Sequence, residues 1–239
     1  MEGCSLEAKA GLQYSVVVPV YNGASSLEEL SNGIIAALQK HSFEIVFVED
    51  AGTDQSWEII TQLKNRHPFV TALQHSVNKG QSASLRTGFA ASKGAYIITI
   101  DDDLQYNPLD IPLLIQKQKT TGADIVYGLP VKPAHSFLRN WSSAVMKTAG
   151  RYAGYRFKGS SFRLMKRTVS MKLAEKSLPK SSLLEVLLYR SGFTVEQVAV
   201  PHYRRRYGKS NYSFFSLAAI LTISFATHCR LLFSKKPNK

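Results

Sequence analysis

Short, unbroken apolar runs alternate along the first half of the chain with segments whose apolar residues recur at helical spacing, and few folds accept that alternation. The runs cover residues 14–20, 43–48, 70–75, 96–100 and 124–127. Apolar at consecutive positions, each must be covered on both faces. This predicts a mostly parallel central sheet flanked by helices. Helical spacing marks residues 26–40, through Leu27, Leu30, Ile34, Ala37 and Leu38, with Ser25 or Ser26 as the N-cap. It marks residues 54–66 through Trp57, Ile60 and Leu63, and residues 81–92 and 109–120 read as further helices. The fold class expected is α/β. The 239 residues, 44% of them hydrophobic, suffice for a sizeable core in one or two domains.

Polar and acidic residues collect where the runs end: Tyr21-Asn22, Glu49-Asp50, residues 78–81 and residues 101–105. Open α/β sheets bind ligands outside the carboxyl ends of their strands, so four clusters fall on one rim. The sharpest is Asp101-Asp102-Asp103. Three adjacent acids repel one another at the end of a buried strand, and a divalent cation removes that cost. Asp101 and Asp103 share one side of an extended segment and can hold one hard cation with room for phosphate oxygens. A solvated acidic loop is the plainer alternative. Neither GxGxxG nor GxxxxGK[ST] is present, so a dinucleotide fingerprint and a P-loop are both unsupported.

The formal charge of +13 is unevenly spread. Residues 1–130 hold 9 Lys/Arg against 14 Asp/Glu, a net of −5, and residues 131–239 hold 21 against 3, a net of +18. The first part suits a metal-dependent site and its scaffold. The second suits anions: phosphates, an anionic membrane or nucleic acid. Charge kept only for solubility would not segregate in this way. Cys4 and Cys229 stand at opposite ends, which suggests no disulfide framework and fits a reducing compartment. Residues 1–13 form a polar tail without the apolar core of a secretory leader.

After residue 130 the alternation weakens. Residues 136–152 read as a basic amphipathic helix, 162–164 as a strand, 181–191 as a helix and 194–200 as an edge strand. Residues 204–212 are a basic loop, and residues 213–239 form a largely apolar segment ending in lysines. A membrane span needs about 20 apolar residues. His228 and Arg230 interrupt this one, so an interfacial helix ranks before a truncated span or a core helix.

Taken in order, Pro19-Val-Tyr21-Asn22, Glu49-Asp50-Ala-Gly-Thr-Asp54, Asn78-Lys-Gly80-Gln81 and Asp101-Asp-Asp103-Leu-Gln105 resemble family 2 glycosyltransferases of GT-A fold. More narrowly, they resemble the polyprenyl-phosphate, dolichol-phosphate mannose synthase-like members. Gly159-Ser-Ser-Phe162-Arg163, Arg139 with Ser143, and Arg205-x-x-Gly208-x-Ser210-x-Tyr212 extend the likeness over roughly residues 14–216. The resemblance implies a GT-A domain at 14–212, with a nucleotide-sugar and metal half at 14–130 and an acceptor half at 131–212. A membrane-interfacial segment at 213–239 follows.

It also implies roles. Pro19, Tyr21, Asn22, Glu49, Asp50, Gly80 and Gln81, with Asp101, Asp102 and Asp103, would hold a UDP-, GDP- or dTDP-linked sugar. Asp101, Asp103 and Gln105 would hold Mg²⁺ or Mn²⁺, since all three offer oxygen ligands. Arg139, Ser143, Arg163, Arg205 and Ser210 would receive the phosphate of a polyprenyl phosphate acceptor. Asp103, Asp102 and Arg205 would be catalytic. The activity implied is inverting transfer of a sugar to that lipid at the cytoplasmic face of a membrane, on a chain held peripherally or by its C-terminal segment. Dimerisation or docking on a membrane partner would suit the apolar end.

The departures bear on the acceptor. Glu49 replaces the first acid of the usual Asp-Asp pair, Gly23 replaces a usual Glu, and Leu129-Pro130 stand where an Arg is usual. Ser160-Ser161 occupy the place of an acid that many relatives carry before Phe-Arg-Leu. A hydroxyl acceptor needs a general base, whereas a phosphate is already anionic. The missing acid favours a phosphate acceptor, or a different base such as Asp103 or Asp102. A hydroxyl acceptor on a surface polysaccharide or other glycan remains the enzymatic alternative. A basic membrane- or nucleic-acid-binding module is the non-enzymatic one. The acidic first half argues against the module, and no nucleic-acid partner is expected.

Overall fold

A computed structural model of the chain describes residues 11–131, 160–175 and 192–203. The N-terminal tail to residue 10, the helices expected at 136–152 and 181–191, the basic loop and the apolar end lie outside the described residues.

Strand β1 is Tyr14–Val20, followed by helix α1, Leu27–Leu38. Next come β2 at Phe43–Glu49, α2 at Ser56–Arg66, β3 at Val70–Gln74, α3 at Gln81–Ala91 and β4 at Tyr96–Thr99. A 3-10 turn at Pro108–Asp110 leads into α4, Ile111–Thr121, and then β5, Ile125–Pro130. The last described elements are β6, Arg163–Lys166, α5, Arg167–Glu175, and β7, Val195–Val200. The expected strands and first four helices are present within a few residues. Helix α5 was not foreseen.

The strands form one sheet in the order β3-β2-β1-β4-β6-β5-β7. Among the described strands only β6 runs against its neighbours, pairing antiparallel with both β4 and β5. The other pairings are parallel, with β7 at the edge as expected.

Continuous apolar runs are explained by the two faces of this sheet. Val16, Val18, Ile45, Phe47 and Ile98 pack with Leu30, Ile34, Ile60, Leu63 and Leu114 on the face covered by α1, α2 and α4. Their sequence neighbours Val17, Val46, Val48 and Ile97 point to the other face, with Phe89, Val169 and Leu173 of α3 and α5. Helix α3 approaches β1 closely at Gly88, where a β-carbon would lie 2.3 Å from Val17 Cγ1. With both faces covered, polar chemistry is left to the ends of the strands.

Ser26 does precede α1, but its hydroxyl donates to the Gly23 carbonyl at 2.8 Å instead of accepting from the first turn.

Candidate functional site

The carboxyl ends of β2, β1 and β4 are adjacent, and the loops that leave them interlock. Pro19, expected in the first loop, lies inside β1 opposite Val48 and is buried. Tyr21 is exposed, and Asn22 turns the chain with φ 54°. Asn22 Oδ1 accepts from the Thr53 amide at 2.7 Å. The Gly23 amide donates to Ser56 Oγ at 2.9 Å, and the Ala24 amide to Asp54 Oδ2 at 2.9 Å. Asp54 in turn receives the Ser56 amide at 3.0 Å. The loops after β1 and β2 therefore form one laced surface. Gly52 is required there, because a β-carbon would meet Asn22 Oδ1 at 2.7 Å.

Glu49 and Asp50 face inward. Glu49 accepts the Gly52 amide at 2.5 Å, the Ala51 amide at 3.2 Å and Gln74 Nε2 at 3.1 Å. Asp50, only 3% exposed, accepts the amides of Lys79 at 2.9 Å and Gly80 at 2.7 Å, together with His75 Nδ1 at 2.6 Å. Burial pushes the Asp50 carboxyl up, but the hydrogen bonds from His75, Lys79 and Gly80 outweigh it and hold the group below the usual carboxylate range. Most of the acceptor capacity of both acids thus goes to their own chain, which shapes the rim from below.

Gly80 adopts φ 88°, a conformation open to glycine, and starts α3 beneath the rim. Gln81, in the first turn, extends its side-chain amide to Asp101 Oδ1 at 2.6 Å. The chain segments around residues 50, 80 and 101, far apart in sequence, are thereby brought together.

Asp101, Asp102 and Asp103 diverge. Burial pushes the Asp101 carboxyl up, and the Asp103 charge adds to that. Hydrogen bonds from Ser161 and Gln81 and the Arg163 charge oppose it without overcoming it. Asp102 Oδ2 turns to the first loop, accepting the Tyr21 amide at 3.3 Å. It occupies the space beside Gly23, where a β-carbon would lie 2.2 Å from that oxygen. Asp103 Oδ1 accepts the Gln105 amide at 3.1 Å in a turn continued by Leu104 at φ 54°. Among the described residues no three His, Cys, Asp or Glu side chains are arranged to hold a metal. Two carboxylates, Asp101 and Asp103, with the amide of Gln105 make up the available donor set. The two carboxylates and the side-chain carbonyl of Gln105 are hard oxygen ligands, and a divalent cation there would offset the burial and the Asp103 charge that push the Asp101 carboxyl up. The set fits Mg²⁺ or Mn²⁺.

On the far side, antiparallel β6 sets Arg163 opposite Thr99, just before the acidic turn. Arg163 is 3% exposed, so in this conformation its charge serves Asp101 from within the protein. The Thr99 hydroxyl donates to the Ser161 carbonyl. Ser160 Oγ donates to the Tyr106 hydroxyl at 3.0 Å. Tyr106 stacks on Phe162 with centroids 5.2 Å apart, and its ring meets His202 edge-on at 5.0 Å. The Tyr203 amide donates to the Gln105 carbonyl at 2.9 Å, which ties the chain after β7 to the acidic turn. Leu129 and Pro130, where an arginine was usual, continue β5 alongside β7.

Arg139, Ser143, Arg205 and Ser210 lie outside the described residues. Sequence reasoning missed His75, Thr87, Tyr106 and His202. A histidine closing an apolar strand run was the one available signal, and it is weak.

The family model described as glycosyl transferase family 2 matches residues 15–173. The chain is 34% identical over 230 residues to an undecaprenyl-phosphate 4-deoxy-4-formamido-L-arabinose transferase of Pseudomonas savastanoi, covering 91% of this chain and 67% of the relative. It is 38% identical over 117 residues to a dolichol-phosphate mannosyltransferase of Pyrococcus furiosus, covering 49% of this chain and 33% of that protein. It spans 60% of the length of the same transferase from Pseudomonas syringae and Pseudomonas fluorescens. In fold it resembles glucosyl-3-phosphoglycerate synthase of Mycobacterium tuberculosis, solved with Mn²⁺, UDP and glucosyl-3-phosphoglycerate. The TM-score there is 0.66 at 20% identity, covering 93% of this chain and 81% of that one.

Proposed function

Because the chain belongs to glycosyl transferase family 2, we propose that it moves a sugar, with inversion, from a nucleoside-diphosphate sugar to a polyprenyl phosphate at a membrane face. The observation that carries this reading is the meeting, on one rim, of the acidic turn after β4 with the loop after β1 through Asp102 and Tyr21 and with the start of α3 through Asp101 and Gln81. A chain-long likeness to a polyprenyl-phosphate sugar transferase supports the acceptor.

Asp101, Asp103 and Gln105 would hold Mg²⁺ or Mn²⁺. Bound there, the cation supplies positive charge to the leaving diphosphate. The chain's own residues do the rest. Gln81 fixes the rotamer of Asp101. Asp102 draws Tyr21 toward the acidic turn. Asn22 and Tyr21 present a polar and an aromatic side chain to the nucleoside. Arg163 offsets the charge of Asp101 from below. Arg139, Ser143, Arg205 and Ser210 would neutralise the incoming phosphate, whose own charge makes a general base unnecessary. Direct attack on the anomeric carbon opposite the diphosphate gives inversion. Membrane association would be peripheral or through residues 213–239. Among the described residues no helix is long and apolar enough to cross a membrane.

The test is incubation of the full chain with short-chain polyprenyl phosphate, Mn²⁺ and, in turn, UDP-, GDP- and dTDP-linked sugars. Appearance of a lipid-linked sugar supports the reading. Transfer to a free hydroxyl instead would replace the acceptor, and no transfer by folded protein with any donor would defeat the proposal.

A further inference from the structure

His75 is buried at the end of β3, yet it belongs to none of the motifs that suggested a function. Both of its ring nitrogens are engaged. Nδ1 lies 2.6 Å from Asp50 Oδ1, and Nε2 lies 2.9 Å from Thr87 Oγ1 in the second turn of α3. Facing a carboxylate, Nδ1 carries a hydrogen and donates, and Nε2 shares a second hydrogen bond with the Thr87 hydroxyl. The His75 amide donates to the Glu49 carbonyl at 2.9 Å, so the backbone under the ring is fixed as well.

The same Asp50 carboxylate receives the amides of Lys79 and Gly80. Its orientation therefore sets where the chain enters α3 and where Gln81 begins. Gln81 ends on Asp101 at 2.6 Å. A continuous polar path runs from the middle of α3 through His75 and Asp50 to the Gly80 turn, and from Gln81 to the acidic turn. An unsupported carboxylate in that buried position has a rotamer choice. The imidazole removes it and ties the choice to the body of α3.

We propose that His75 is a positioning residue for the nucleotide site, holding Asp50 so that the Lys79–Gly80 amides and Gln81 keep their places relative to Asp101. The claim rests on the donor site proposed above and adds a residue to it. His75 touches no reacting atom. Its effect reaches the site through the loop, so it acts on donor affinity more than on the chemical step.

The experiment is calorimetric titration of the full chain with UDP, GDP and dTDP in the presence of Mn²⁺, for wild type, His75→Leu, His75→Asn and Thr87→Val. Amide hydrogen exchange at Lys79 and Gly80 is followed in parallel. Leucine fills the space without a donor. Asparagine can still donate to Asp50. Valine removes only the Thr87 hydroxyl. The expected result is an affinity about tenfold weaker for His75→Leu and loss of protection at the two amides. His75→Asn should stay within about twofold of wild type and Thr87→Val should fall between. Unchanged affinity in folded His75→Leu overturns the proposal and leaves a merely structural histidine. So does His75→Asn binding as weakly as His75→Leu. If His75→Leu does not fold, Thr87→Val and His75→Asn carry the decision through the exchange of the two amides. Wild type that binds none of the three nucleotides defeats the donor-site reading itself, and this proposal with it.

Discussion

Gly23 and Asp102 come from different loops but compete for one space, so their coupling is measurable. An alanine at 23 would put its β-carbon 2.2 Å from Asp102 Oδ2 and 3.0 Å from Cγ, against a contact optimum of about 3.5 Å. Gly23 has no left-handed backbone, so the substitution brings a steric demand without backbone strain. Asp102 is short and partly exposed and can rotate away, but only by giving up the Tyr21 amide at 3.3 Å. That hydrogen bond goes to a charged acceptor but is long and near solvent, which places its loss near 1 kcal/mol. With the less favourable rotamer added, Gly23→Ala should cost about 1–2 kcal/mol, or about 2–8 °C in melting temperature for a chain of this size. Asp102→Ala should cost about 1 kcal/mol through the same bond. In the double variant nothing remains to clash, so its cost should match that of Asp102→Ala alone. The coupling energy then equals the cost of Gly23→Ala alone, about 1–2 kcal/mol. Urea denaturation of the four proteins, followed by far-UV circular dichroism with a shared m-value, measures it. Additive costs would refute the reasoning and free Asp102 from its hold on the first loop.

The remaining predictions concern strain, charge and pH. Ala51 sits at φ 54°, so Ala51→Gly should stabilise the fold by about 1 kcal/mol in the same denaturation assay. Asp101→Asn keeps an acceptor for Gln81 and removes a carboxylate that burial and Asp103 penalise. In EDTA it should melt higher than wild type at pH 7, while Mn²⁺-dependent nucleotide binding is lost. A lower melting temperature would mean that the carboxylate is not the strained element. Asp124 is held below the usual carboxylate range by its hydrogen bond from Lys166 and those from Thr194. Its stabilisation should be complete above the unfolded-state value, near pH 4, and be lost as pH falls through the lower folded value. Asp124→Asn should therefore lose stability at pH 7 and show a shallower decline across the acid range in melts from pH 7 to pH 2.

The parts legible in the sequence are those that local pattern encodes. Residues 14–20 and 43–48 read as strands because alternate side chains enter cores on opposite faces, and that leaves an unbroken apolar run. The rim followed from those strand ends. Pairing order did not, since nothing in Arg163–Lys166 announces that it enters antiparallel between β4 and β5. That insertion buries Arg163 and puts Ser161 against Asp101, so neither contact was readable in advance. Helix α5 escaped notice because it follows β6 without a break, and Thr168, Val169 and Ser170 are weak helix formers. Glu49 and Asp50 were legible as important but not as inward-facing. Their donors, Gln74, His75 and the amides near residue 80, come from β3 and the loop beyond it.

One feature of the rim joins fold to chemistry. Among the described residues three that are not glycine, Asn22, Ala51 and Leu104, have left-handed backbones, and each lies beyond one of the adjacent strands β1, β2 and β4. Such a backbone costs about 1–2 kcal/mol for an ordinary residue, so each needs a local reason to persist. Asn22 is offset by the Thr53 amide on its side-chain oxygen, and Ala51 by the Glu49 carboxylate on its own amide. Leu104 is offset by burying its side chain in the core. Two of the turns, at Asn22 and Ala51, come two residues after their strands, and that at Leu104 comes five after β4. That keeps Tyr21, Asp101 and Asp103 close to the strand ends instead of at the tips of long loops. Removing the strain at Ala51 with glycine should therefore stabilise the protein yet loosen the turn, whereas removing it at Leu104 would also remove an anchor from the core. The strain is tolerated where it fixes the direction of polar side chains, and it is held in place by contacts that the strands and the core supply.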